Sequence, residues 1–179
     1  MSAIKHTIVA LVEDRPGVLN RVASLFRRRG FNIESLAVGH SEIPGFSRMT
    51  IVVDGATTAV EQVRKQLDKL IEVIKVTDIS EETIVARELA LIKVESSPST
   101  RSEIMQITDI FRASILDVAP DSIVIEVTGD DDKVSSLVEL LRGFGIIELA
   151  RTGRIAMVRG TIGPLRKQGQ GQSKRRSGR

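Results

Sequence analysis

The spacing of apolar residues switches between a period of two and a period near 3.6 in a fixed order, and the whole order occurs twice. The first round opens with residues 4–13 (IKHTIVALVE), a β-rich run. Pro16-Gly17 follows, and then Val18, Val22, Leu25 and Phe26 at i, i+4, i+7 and i+8, one face of a helix. Pro16 suits the first helical position, and Gly30 suits the residue just past the helix end. Arg27, Arg28 and Arg29 sit in the last turn, where cations complement the helix dipole. Strands are expected at about 31–38 and 47–53, separated by a polar turn with Pro44-Gly45. In the latter, Met49, Ile51 and Val53 make one face wholly apolar. Val60, Val63, Leu67 and Leu70 mark a second helix, and residues 73–79 a closing strand.

After Ser80-Glu81-Glu82-Thr83, a polar linker, the order repeats. Strands are expected at 89–94, 115–118, 123–127 and 146–149. Ile104, Ile107 and Phe111 mark one helix; Val134, Leu137, Val138 and Leu141 mark the other. Asp130-Asp131-Asp132 stands at the start of that second helix, the favourable end for negative charge. The reading is α+β: two ferredoxin-like βαββαβ units, residues 4–79 and 84–160. Such a unit has helices on one sheet face only. The other face needs a cover, a second copy is the simplest one, and oligomerisation is expected.

Composition removes several function classes. With no Cys, there is no disulfide, thiolate metal site or Cys nucleophile. With only His6 and His40, little remains for a His-based metal site, and no metal is expected. His6 lies in a strand pattern without a partner at ligand spacing. His40 has Ser41 and Glu42 nearby in an expected loop, but no nucleophile elbow surrounds it, so no catalytic residue is assigned. No apolar run approaches the ~18 residues of a membrane helix. The N-terminus runs into the strand pattern without a signal-peptide core, so a cytoplasmic protein is expected. The pI of about 9.5 is misleading. Residues 1–160 carry a net charge of −3, and residues 161–179 carry +6 with no acid. The basicity belongs to a Gly/Gln/Ser/Arg tail that cannot bury a core and is expected to be disordered. Sheet-based RNA binding stacks bases on aromatics. Aromatics are 3% of this chain and none lies in a paired strand motif, so no nucleic acid is expected as partner.

Chemistry concentrates at Glu13-Asp14-Arg15-Pro16-Gly17-Val18-Leu19, between the first strand and first helix. Gly17 leaves the backbone open to a ligand. The free N–H groups of Gly17, Val18 and Leu19 at a helix start make a site for an anion such as a carboxylate. Spacing alone also fits a plain helix-start signal. For an amino acid, Asp14 could balance the ammonium and Asn32 offers both donor and acceptor. Val18 or Ile33 could line a small apolar pocket.

Residues 14–36 (DRPGVLNRVASLFRRRGFNIESL) resemble the signature of the ACT-type regulatory domain in acetolactate (acetohydroxyacid) synthase small subunits. Residues 47–53 (SRMTIVV), 65–76 (KQLDKLIEVIKV), 87–94 (RELALIKV), 109–118 (DIFRASILDV) and 148–160 (ELARTGRIAMVRG) match too, and the resemblance covers about residues 4–160. The resemblance implies an N-terminal ACT domain, a C-terminal ferredoxin-like domain, and a homodimer whose ACT domains pair side by side. It implies a non-catalytic chain in branched-chain amino-acid biosynthesis that activates a separate catalytic (large) subunit and confers valine feedback inhibition. The cofactors, thiamine diphosphate, Mg2+ and FAD, would all be in that partner and none in this chain. Valine would sit between two ACT domains, on Asp14, Gly17, Val18 and Leu19 of one chain and Asn32 and Ile33 of the other. Position 14 is Asp where some members of the family have Asn, which alters how the ligand's charges are balanced. The second unit has Ser96-Ser97-Pro98-Ser99 in place of the Pro-Gly loop, so no equivalent site is expected there.

Overall fold

The first sheet is built around β1 (Lys5–Glu13), whose alternate residues Ile8, Ala10 and Val12 enter the main core while Val9 faces the other way. Strands β2 (Ile33–His40), β3 (Phe46–Asp54) and β4 (Val73–Asp78) complete it, in the order β2-β3-β1-β4 with every pairing antiparallel. Helices α1 (Val18–Arg28) and α2 (Thr57–Leu67) lie on one face and contribute Val18, Val22, Leu25, Phe26, Val60, Val63 and Leu67 to the core. The computed structural model describes residues 5–160, Gly163 and Leu165.

Local chemistry explains the element ends. Gly30 takes φ +72° just beyond α1. Its N–H bonds the Arg27 carbonyl (3.1 Å) and the Phe31 N–H bonds that of Phe26 (3.1 Å). This is a Schellman stop, which a glycine accommodates without Cβ strain. The other end differs from the sequence expectation. Pro16 is not the first helical residue, because Gly17 holds φ +88° and the helix begins only at Val18.

The second unit repeats the plan with β5 (Ile84–Glu95), α3 (Arg101–Ile110), β6 (Ser114–Val118), β7 (Ser122–Gly129), α4 (Asp131–Leu141) and β8 (Ile146–Arg151). Its order, β6-β7-β5-β8, matches that of the first sheet. The fold is therefore α+β and ferredoxin-like, twice over. Asp130 caps α4 by accepting the Lys133 N–H at 2.9 Å, as its place in the sequence suggests.

Two features lie beyond the sequence reading. β5 starts at Ile84, five residues before the expected strand. A further strand, β9 (Ile155–Val158), pairs with that early half. β8 and β9 follow each other along β5, with Arg151 opposite Ala90 and Ile155 opposite Arg87, and Thr152-Gly153-Arg154 bulges between them. The resulting two-stranded ribbon lies on the outer face of the first sheet. Ile84, Ala86, Ala156 and Val158 pack there with Val9 and Ile79, and Leu165 joins them. Arg154 N–H donates to Ser35 Oγ (2.7 Å), and Arg48 Nη2 donates to the Ala156 carbonyl (2.7 Å). The face expected to need a second copy is thus covered in part by the same chain. The reason is the apolar alternation of Ile84 and Ala86 against Ala156 and Val158. The expectation of disorder for residues 161–179 falls, except at Gly163 and Leu165, outside the described residues.

Candidate functional site

The chain leaves β1 at Glu13 and crosses to α1 through four residues, a link tied down on both sides. Glu13 N–H donates to the Glu72 carbonyl (2.9 Å) and Asp14 N–H to that of Gly45 (2.9 Å). Gly17 then adopts φ +88°, ψ −14°, a left-handed conformation that costs other residues about 1–2 kcal/mol. Nothing lies within 4 Å of where its Cβ would be, so the backbone here faces open space. Gly17 is the N-cap residue of α1 but has no side chain to cap with, and the first turn contains no acid. Among the described residues no acceptor meets the N–H groups of Gly17, Leu19 or Asn20, and Val18 N–H has only a long bond of 3.4 Å to the Arg15 carbonyl. The positive end of a helix is left with unpaired donors, which suits a bound carboxylate.

Charged side chains surround this loop. Asp14 Oδ2 lies 3.1 Å from Nδ1 of the exposed His40, at the end of β2. Arg15 pairs with Glu13 at 2.6 Å. Arg21, one turn into α1, reaches the buried carboxylate of Glu72. The Arg15–Glu13 and Arg21–Glu72 pairs each balance in charge, which leaves Asp14 as the carboxylate without an Arg or Lys partner beside the loop.

The six expected site residues fall into two groups. Asp14, Gly17, Val18 and Leu19 come together. Val18 contributes backbone only, because its side chain is buried in the core; the apolar group presented beside the loop is Leu19, 44% exposed. Asn32 and Ile33 lie at the opposite end of α1, an 11-residue helix that rises about 16 Å. Asn32 is exposed, and Ile33 is half-buried against the core at the start of β2. One copy of the chain does not bring the two groups together. β2, however, is one of the two edge strands of its sheet.

The corresponding loop of the second unit is different. Ser97, Ser99 and Thr100 hydroxyls bond one another, and the Ser97 N–H donates to Thr100 Oγ1 at 2.9 Å. The N–H groups of Thr100 and Arg101 also find acceptors within that loop, on Ser97.

Two clefts between the units had no signal in the sequence, since both depend on the ribbon. One, of about 450 Å³, is polar. In it Arg151 bonds the buried Glu88 and, at 2.9 Å, Asp131, while Lys5 and Glu34 pair at 2.5 Å. The hydrogen bond that Lys5 donates to the Glu34 carboxylate raises the Lys5 pKa, against a partial offset from burial. The other, of about 310 Å³, is mainly apolar. Among the described residues no three His, Cys, Asp or Glu side chains converge as a metal site, and no helix is long and apolar enough to cross a membrane.

Comparison with known proteins is consistent along the chain. Residues 8–75 match the family model of the AHAS small subunit-like ACT domain, and residues 87–160 that of the small subunit of acetolactate synthase. The probable acetolactate synthase small subunit of Archaeoglobus fulgidus is 63% identical over 157 residues, covering 88% of this chain and 98% of the relative. That of Bacillus subtilis is 55% identical over 159 residues, covering 88% and 92%. The crystal structure of the acetolactate synthase small subunit from Thermotoga maritima superposes with a TM-score of 0.81 at 45% identity, over 89% of this chain and 99% of that one.

Proposed function

This chain belongs to the acetolactate synthase small-subunit family, and from that premise we propose that it raises the activity of the catalytic subunit and makes it sensitive to valine. A small subunit with an ACT domain implies a regulatory, non-catalytic role beside a catalytic partner. The finer reading assigns the effector and its place. Valine's carboxylate takes the unpaired N–H groups at Gly17, Leu19 and Asn20, its ammonium lies toward Asp14, and Leu19 contacts its side chain. Asn32 and Ile33 of a second copy complete the site, through pairing of two ACT domains along their β2 edges in a homodimer.

The observation that carries this reading is the open, left-handed Gly17 at a helix start whose first donors lack partners. The position of β2 at an edge of the sheet supports the cross-chain part, since a second copy can pair along it while the ribbon partly covers the outer sheet face. Valine can bias the complex only by its difference in affinity for two arrangements of it. Coupling of this kind is typically about 1–3 kcal/mol, a factor of roughly 5–150. The catalytic subunit would carry thiamine diphosphate, Mg2+ and FAD, and its thiamine diphosphate would supply the carbon–carbon chemistry, which joins two pyruvates, or pyruvate with 2-oxobutanoate, with loss of one CO2, in the cytoplasm. This chain binds the effector and holds the partner.

The test is acetolactate production by the catalytic subunit, with and without this chain, across a valine titration. Stimulation together with inhibition that requires this chain is the expected result. An unchanged rate and no response to valine would overturn the proposal.

A further inference from the structure

The 152–154 bulge of the ribbon meets β2 near its start. Arg154 N–H donates to Ser35 Oγ at 2.7 Å. Gly153 comes so close to the Leu36 carbonyl that no Cβ fits between them. Ser35 stands opposite Val52, while Ile33 and Leu36 pack on the core. The bond is therefore made on the outer sheet face, within one chain, and needs no surface left free for a partner. Protein interiors are close-packed, so a backbone seated this tightly on another moves with it.

The same stretch of β2 is irregular. Its register against β3 shifts, with Ile33 opposite Val53 and Ser35 opposite Val52, so Glu34 is an extra residue. A bulged residue re-aims the side chains beside it. Whatever fixes Glu34 and Ser35 therefore sets the direction of Asn32 and Ile33. From the first unit, Lys5 Nζ donates to Glu34 Oε1 at 2.5 Å, but both side chains are exposed and water weakens that pair. From the second unit come the bond to half-buried Ser35 and the packing of Gly153 on the next peptide. The firmer hold on the start of β2 thus belongs to the second unit.

We propose that Gly153, Arg154 and Ser35 are positioning residues of the effector site: through them the second unit sets how Asn32 and Ile33 enter the valine site shared with a second copy. The proposal rests on the reading that places Asn32 and Ile33 in that site, and it gives the second unit a part in effector binding although its own loop is closed. Such coupling is reciprocal. If lifting the 152–154 bulge weakens valine binding by some factor, bound valine holds the bulge down by the same factor. A contact that only joined the two units would change stability and leave valine binding alone.

The experiment titrates valine into the full chain by calorimetry, well below the denaturation midpoint of each variant. Gly153→Ala should bind valine at least about fivefold more weakly than the parent, the low end of ordinary coupling between sites. Ser35→Ala, which removes only the acceptor, should lose about twofold to tenfold, the net size of one hydrogen bond. Ser35→Thr keeps the hydroxyl, suits a strand and should bind as the parent does. Ile104→Val trims the second unit's own core, so it should lower the urea midpoint and leave valine affinity unchanged. The second readout is hydrogen exchange of the Arg154 amide, which saturating valine should slow by about the factor lost in Gly153→Ala. Parent affinity in both Gly153→Ala and Ser35→Ala, or Arg154 exchange unmoved by valine, overturns the proposal and leaves the effector reading standing. An equal loss in Ile104→Val overturns it in favour of stability alone. A parent chain that binds no valine, or an Asn32→Ala variant that binds it as the parent does, overturns both.

Discussion

Gly153 lies flat against the peptide that joins Leu36 to Ala37. A Cβ at residue 153 would stand 2.0 Å from the Leu36 carbonyl oxygen and 2.4 Å from its carbon. Backbone cannot yield as a flexible side chain can, so Gly153→Ala must lift the bulge between β8 and β9 off β2. Overpacking of this kind costs about 1–3 kcal/mol. The neighbouring bond from Arg154 N–H to Ser35 Oγ should open with it. The urea midpoint of the variant should fall, and the Arg154 amide should exchange faster with solvent. A variant with the parent midpoint and parent exchange would mean that this contact does not hold the units together.

That contact also marks where the sequence stopped being readable. Ile8, Met49, Ile51, Val22 and Phe26 are placed by local periodicity, because each alternation or helical stripe points at a core within its own unit. Gly30 and Asp130 are legible as cap residues for the same local reason. Ile84, Ala86, Ala156 and Val158 are different. β9 has only four residues, two of the four side chains are small, and what they cover belongs to another sheet. No period within residues 84–87 or 155–158 names Val9 and Ile79 as partners. The candidate loop at Gly17 was legible as a helix start with open backbone. The position of Asn32, a helix length away, follows only from the topology.

Gly17 separates conformation from charge. Gly17→Asn and Gly17→Asp have almost the same shape, and both short polar residues visit the left-handed region more readily than Ala. Each should fold, with a stability loss of about 1 kcal/mol. Their ligand affinities should part, because only the aspartate opposes a carboxylate at the helix start. Calorimetric titration with valine should give a dissociation constant at least about tenfold weaker for Gly17→Asp than for Gly17→Asn, the size of effect expected from one charge in a partly buried site. Equal affinities would remove this loop as the carboxylate site.

Arg21 and Glu72 make a structural prediction beside the same loop. The Glu72 carboxylate is buried, and Arg21 is its ion partner; the Glu72 carbonyl also holds Glu13 N–H at 2.9 Å. Arg21→Ala leaves the buried carboxylate without its cation. Arg21 is well exposed, so water screens the pair and the cost should stay near 1–2 kcal/mol, below that of breaking a fully buried pair. Adding Glu72→Gln to Arg21→Ala should recover part of the loss, since an amide tolerates burial better than an unpaired charge. A double-mutant cycle from denaturation midpoints decides the matter, and strict additivity would show that the two side chains do not interact.

The division of the candidate site across two copies can be tested by mixing. If Gly17 of one chain and Asn32 of the other form each valine site, Gly17→Asp and Asn32→Ala each spoil both sites of a homodimer. A mixed dimer behaves differently. One of its sites pairs the altered Gly17 loop with the altered Asn32 position and is spoiled twice. The other pairs an intact loop with an intact Asn32 and is whole. Subunit exchange between the two variants should therefore restore tight binding at about one site per mixed dimer, measured by equilibrium dialysis with labelled valine. If both groups belonged to one chain, mixing would restore nothing. The single-chain geometry, which leaves the two groups at opposite ends of α1, makes recovery the expected result.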